Sequence, residues 1–208
     1  MNYKIHNDDK VFPYLVIDDF YNEDEQELIW NELILLNTLF KKEDGVSGNI
    51  AVDKDGLKKG EASRLYLDIL YKDKREQSNI LKVYKKIISD DVVKLYTNTT
   101  PSWVTFNSSN NDFSQVSYYE SSDYYKEHFD NYMHSCLIWF FQKPKKFKGG
   151  NLKFTQSFKT VKCKHNRMVL FPSYYLHEVD EIIMKKKDMN KNLGRYCLTH
   201  FYWAHMSS

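Results

Sequence analysis

The chain has 208 residues, with 30 Lys and Arg against 28 Asp and Glu, for a formal net charge of +2. Hydrophobic residues make up 42% and aromatic residues 16%, which excludes an intrinsically disordered polymer and provides bulk for a sizeable core. A charge this close to balance gives no electrostatic case for a nucleic-acid partner.

The run N-E-D-E-Q-E-L-I-W-N-E-L-I-L-L predicts a helix. Asn22 is its N-cap, Glu25 closes a capping box, and acidic residues crowd the positive end of the dipole. Leu28, Ile29, Leu33 and Leu36 then fall near one face. Residues 41–61 are polar and hold Gly45, Gly48, Gly56 and Gly60, the composition of a mobile loop and a candidate lid. Residues 64–71 fit a strand or a helix. From about Arg75 to Tyr96, Ile80, Leu81, Tyr84, Ile87, Ile88 and Val92 recur at helical spacing. Beyond Pro101 the pattern turns short and β-like, with expected strands at 102–107, 114–120, 134–141, 151–156, 160–164, 168–171, 176–180 and 194–203. Residues 185–192 (K-K-K-D-M-N-K-N) form a charged excursion between the last two. The expectation is one unit over 1–208, with 1–100 a mostly helical support and 101–208 a β-sandwich or barrel.

Cys136, Cys163 and Cys197 form no CxxC pair, which argues against a disulfide scaffold and for a reducing compartment. No apolar run approaches the roughly 20 residues of a membrane span. The opening M-N-Y-K-I-H-N-D-D-K lacks the apolar stretch of a secretory signal. A cytoplasmic protein without a membrane partner is the expectation.

The chemistry-bearing candidate is His128-Phe129-Asp130. In extended chain, residues i and i+2 share a face, so imidazole and carboxylate would lie side by side. One further His would complete a two-His, one-carboxylate triad, which leaves three positions open on an octahedral metal and suits Fe(II). The third ligand must come from His6, His134, His165, His177, His200 or His205. His177 stands out, following an apolar run broken at Pro172-Ser173. Taken singly, each histidine is equally a packed residue bonded to a carbonyl. Cys163 and His165, two apart, have no evident partner pair for a second site.

Five pieces in order resemble the Fe(II)- and 2-oxoglutarate-dependent dioxygenases of the prolyl 4-hydroxylase type. They are Q-V-S-Y-Y-E, Y-Y-K-E-H-F-D, F-K-G-G-N-L-K-F, M-V-L-F-P-S-Y-Y-L-H-E-V and G-R-Y-C-L-T-H-F-Y-W, all between Gln115 and Trp203. The earlier F-P-Y-L-V-I-D-D-F-Y-N-E-D-E-Q-E-L-I is similar to the usual opening of these enzymes. The resemblance implies a double-stranded β-helix (jelly roll) with supporting N-terminal helices. It makes His128, Asp130 and His177 the iron ligands and Arg195 the partner of the distal carboxylate of 2-oxoglutarate. It places Tyr119 against that cosubstrate, and Thr199, which shares the inward parity of Arg195, is a further candidate donor to it. Only four residues are Arg, against 26 Lys, so an Arg at this position is not a by-product of basic composition. Gly149-Gly150 is read as a tight turn, not as ligands.

The implied reaction hydroxylates an unactivated C–H bond with O2 while 2-oxoglutarate is split to succinate and CO2; ascorbate is an accompanying reductant. A prolyl residue of a peptide or protein is the first substrate expectation, and a free amino acid or other small metabolite the second. A catalytically silent jelly-roll binding module and a zinc hydrolase are the readings from other classes. Two features depart from the family. Eighteen residues separate His177 from Arg195, more than usual, and a position that often carries a second polar group for the cosubstrate falls on Trp139 or Phe140.

Overall fold

A computed structural model describes residues 2–6, 12–43, 50–98 and 101–205. Gly45 and Gly48 of the expected loop lie outside them. The first strands are β1 (Asn2–His6) and β2 (Tyr14–Asp18), followed by helix α1 (Glu23–Leu36) and the short strands β3 (Lys41–Lys42), β4 (Gly60–Glu61) and β5 (Ser63–Tyr66). Helices α2 (Leu67–Tyr71), α3 (Asn79–Val83) and α4 (Asp90–Thr97) come next. The later strands are β6 (Asn111–Tyr119), β7 (Tyr124–His128), β8 (His134–Phe140), β9 (Phe147–Lys148), β10 (Leu152–Phe154) and β11 (Lys159–Val161). The last are β12 (Arg167–Pro172), β13 (His177–Val179), β14 (Ile183–Met184) and β15 (Arg195–Trp203).

All strand pairs are antiparallel. The major sheet runs β1-β2-β12-β8-β15-β6-β5-β3, the minor sheet β11-β10-β13-β7-β4, and β14 pairs with β9. These are the two sheets of a double-stranded β-helix. Alternation along each strand builds two cores. Tyr196, Leu198, Ile138, Phe140, Met168 and Leu170 face the helices, where Ile29, Leu33, Ile80 and Ile87 cover them. Their neighbours Cys197, Leu137, Trp139, Val169 and Phe171 face the minor sheet.

Helix α1 starts as its cap residues dictate. Asn22 Oδ1 accepts from Glu25 N at 2.9 Å and Asn22 N donates to Glu25 Oε2 at 2.8 Å. Ile29, Leu33 and Leu36 are buried, but Leu28 is exposed, and the inward face instead includes Glu32. That carboxylate is buried because it is fully used: it accepts from Tyr71 Oη at 2.7 Å, Ser78 Oγ at 2.8 Å and Ile80 N at 2.7 Å.

The expected helix over 75–96 is broken. Ser78 and Ser89 adopt extended backbone and open new helices, with 3-10 turns at Lys72–Gln77 and Tyr84–Ile88. Ile80, Leu81, Tyr84, Ile87 and Val92 are still buried, while Ile88 is exposed. Residues 63–71 are both alternatives in turn, strand β5 and then α2. The expected strand at 102–107 is a 3-10 segment, Pro101–Ser108. Trp103 and Phe106, three apart, pack on Tyr96, which eclipsed 3-10 spacing permits and a strand does not. The first hundred residues also supply β1 and β2 to the major sheet, β2 pairing with β12.

Candidate active site

The minor sheet positions two imidazoles. His128 ends β7, His177 begins β13, and the two are direct cross-strand partners with ring centroids 4.3 Å apart. Both Nδ1 atoms face a main-chain carbonyl two residues back, His128 to Lys126 O and His177 to Tyr175 O, each at 2.8 Å. A carbonyl only accepts, so each Nδ1 carries the proton and each Nε2 keeps a bare lone pair. Burial, followed by the neighbouring His177, pushes the His128 imidazole well below its ordinary pKa and holds it neutral.

Asp130 sits just beyond the end of β7, with Phe129 turned out to solvent. Its Oδ1 is 3.7 Å from His128 Nε2 and its Oδ2 3.7 Å from His177 Nε2. Ser135 Oγ donates to Oδ2 at 2.6 Å, and Ser173 Oγ lies 2.7 Å from Ser135 Oγ. The Asp130 N–H donates to Ser173 O at 2.9 Å. One atom from each of His128, Asp130 and His177 falls within 4.8 Å of the others. Two imidazole nitrogens and one carboxylate, with the outer atoms of all three already bonded, suit a divalent first-row metal.

The major sheet forms the facing wall. Arg195 at the start of β15 is 1% exposed and pairs across strands with Tyr119, whose ring centroid lies 4.2 Å from the guanidinium carbon. Its Nη1 donates to Gly150 O at 2.6 Å and its Nε has no acceptor. No carboxylate among the described residues lies within ion-pair distance of it. A buried cation in this state favours an anionic partner, and a planar carboxylate matches its fork. The paired glycines make the cradle: φ is +75° at Gly149 and +72° at Gly150. A Cβ on Gly149 would lie 1.9 Å from Glu181 O. The donors present thus fit a dicarboxylate.

Cys197 and Thr199 line the same cavity as Arg195 and Tyr119, together with Arg64, Gln115, Ser117 and Trp139. Of the two residues in doubt on β8, Trp139 faces this cavity with an unpartnered Nε1, and Phe140 faces the helices. Three of the five remaining candidate histidines are held elsewhere. His134 lies between Tyr96 Oη and Thr105 Oγ1, His200 bonds Ser114 Oγ, and His165 contacts Phe141 N and Gln26. Ser135, Tyr125 and Arg64 also belong to the site and were missed in the sequence. Tyr119's parity on β6 points to Gln115 and Ser117, but no motif marks Arg64.

Residues 114–203 match the model of the 2OG-Fe(II) oxygenase superfamily. No curated protein matches the chain in sequence. Among solved structures, a Pseudomonas putida prolyl-4-hydroxylase superposes with a TM-score of 0.62 at 14% identity, over 96% of this chain and 97% of that one. A Trichoplax adhaerens prolyl hydroxylase in complex with a hypoxia inducible factor oxygen degradation domain peptide fragment gives 0.61 at 16% identity, over 95% and 86%. A Burkholderia pseudomallei oxidoreductase of the 2OG-Fe(II) oxygenase family gives 0.55 at 11%, over 94% and 87%. At these identities the likeness is one of fold. It extends to the helices and strands that precede residue 114.

Proposed function

We propose that this protein is an Fe(II)- and 2-oxoglutarate-dependent dioxygenase that hydroxylates an aliphatic C–H bond, with a prolyl residue of a peptide or protein as its substrate. One observation carries the reading: two imidazoles with engaged Nδ1 atoms and a serine-held carboxylate converge opposite a buried arginine that has no counter-anion among the described residues. His128, Asp130 and His177 would hold the metal, and Arg195 the distal carboxylate of 2-oxoglutarate, with Tyr119 and Thr199 beside it. Bound there, Fe(II) and 2-oxoglutarate supply the oxidising power that turns C–H into C–OH with O2, releasing succinate and CO2.

The chain's own residues perform the rest. The carbonyls of Lys126 and Tyr175 aim the imidazoles, and Ser135 and Ser173 fix the carboxylate. The aromatic and aliphatic walls keep the cavity poor in water, which strengthens the Arg195 contact. The prolyl assignment rests on kinship of fold with prolyl hydroxylases.

The test is direct. Protein prepared without oxygen is given Fe(II), 2-oxoglutarate and a proline-containing peptide, and O2 is then admitted. The expected result is succinate together with a peptide heavier by one oxygen atom. Succinate with an unmodified peptide would keep the class and remove the prolyl substrate, and failure to bind iron would remove the class.

A further inference from the structure

A second arginine shares the cavity. Arg64 lies on β5, where it pairs with Ser117 of β6; Ser117 pairs with Cys197 of β15, and Cys197 with Trp139 of β8. All four residues of this rung line the inner cavity. The rung lies two positions along β6 from the Tyr119–Arg195 pair, roughly 7 Å by strand geometry. Arg64 is 6% exposed, and its guanidinium carbon lies 5.1 Å from the centroid of the Tyr125 ring. That ring stacks on His128 with centroids 3.6 Å apart.

The two arginines differ in what else they line. An outer groove opens over His128 and Asp130, and Arg64 lines it while Arg195 does not. The groove's other walls are mixed: Ile50, Val52, Ile69, Phe113 and Phe201 stand beside Gln115 and Asn131. A molecule in this groove therefore meets apolar and aromatic side chains on part of its surface, and Arg64 is, among the described residues, the one cationic side chain that lines the groove. A desolvated guanidinium holds a carboxylate through two parallel charge-assisted bonds between opposite charges, which an uncharged amide cannot reproduce.

We propose that Arg64 is the substrate-selecting residue of this site, and that the substrate carries a free carboxylate, which Arg64 receives, next to the apolar body that is hydroxylated. This rests on reading His128, Asp130 and His177 as the metal site. Within the peptide reading it narrows the substrate to a carboxy-terminal residue; a free amino or imino acid carries the same carboxylate and would replace the peptide as substrate.

The experiment is calorimetric and needs no turnover. Protein is loaded anaerobically with Fe(II) and 2-oxoglutarate, and their binding is measured first. It is then titrated with N-acetyl-L-proline and its amide, N-acetyl-L-leucine and its amide, free L-proline, and a short peptide ending in proline. The expected result is that at least one acid binds roughly tenfold or more tightly than its amide. Arg64→Met should erase that preference and Arg64→Lys retain part of it, both with the 2-oxoglutarate affinity of the parent. Free proline against the peptide tells which source of carboxylate fits.

Four results would overturn the proposal. The amides bind as well as the acids; no acid binds to the loaded protein; Arg64→Met keeps the acid preference; or Arg64→Met loses 2-oxoglutarate instead, which would make Arg64 a cosubstrate residue. The first two need only the parent protein, so they stand even if a variant does not fold. Protein that takes up neither Fe(II) nor 2-oxoglutarate would instead overturn the reading of the metal site beneath it.

Discussion

Asp130 depends on its serines. Ser135 donates to the carboxylate, and Ser173 holds both the Ser135 hydroxyl and the Asp130 N–H. Removing a partner one shell out from a metal ligand typically costs about 10–100-fold in metal affinity. Ser135→Ala should weaken Fe(II) binding by roughly that amount, whereas Asp130→Ala or His177→Ala should abolish both binding and succinate formation; titration of Fe(II) or a redox-inert surrogate reads the difference. Arg195 makes a separable prediction. Arg195→Met removes charge-assisted bonds worth about 1.5–3 kcal/mol each, so 2-oxoglutarate affinity should fall by roughly tenfold to a hundredfold while metal affinity holds. Equal losses of both would contradict the division of labour between the two sheets.

At the scale of elements, Glu32 joins α1 to α2 and α3 through three donors. Glu32→Ala would strand those buried donors, and about 3 kcal/mol of stability should be lost, seen as a lower urea midpoint with an unchanged slope. Glu32→Gln should cost less. The inner strands carry a pH dependence of their own. Burial lowers His134 on β8 to about 4 and His200 on β15 to about 3. Both lie below the ordinary histidine value of about 6.5, so the unfolded chain binds the protons first. Their stabilising neutrality is complete above that value and is lost as pH falls toward 4 and then 3. The urea midpoint should drop steadily below about pH 6.5, and His200→Asn should make that slope shallower. Elements also show where periodicity misleads. Trp103 and Phe106 have strand composition, yet the position of Tyr96 decides for a tight helical turn. The run of apolar residues across Ser78 and Ser89 hid the breaks there.

For the whole molecule, the metal and 2-oxoglutarate should act as part of the folded state. A ligand at a hundred times its Kd adds about 2.7 kcal/mol, and in a chain of this length each kcal/mol moves Tm by about 2–4 °C. Mn(II) with 2-oxoglutarate should raise Tm by roughly 5–10 °C in the parent protein and leave Asp130→Ala unmoved. The legibility of the site has the same molecular logic. His128, Asp130, His177 and Arg195 could be picked out as candidates because turns and strand ends confine them to short motifs with a fixed order. The two strands before α1 were not, because Y-L-V-I-D is five residues long and its pairing with β12 spans some 150 positions of sequence. Arg64 belongs to no motif; only sheet register brings it to the site.

The nine residues of β15 are bonded on one side to β6 and on most of the other to β8. Odd positions furnish the cavity and even positions the helical face. Slipping this strand by a single residue would put the Tyr196 phenol where the guanidinium belongs and send Arg195 among the helices. Residues 185–192 lie outside these rungs, anchored through Asn190 N to Glu120 and through Met189 to the inner core, so their length can drift without moving a rung. Counting along the chain from one ligand to the next is therefore a poor ruler for this architecture, and kinship among such proteins is better measured across the rungs than down the thread.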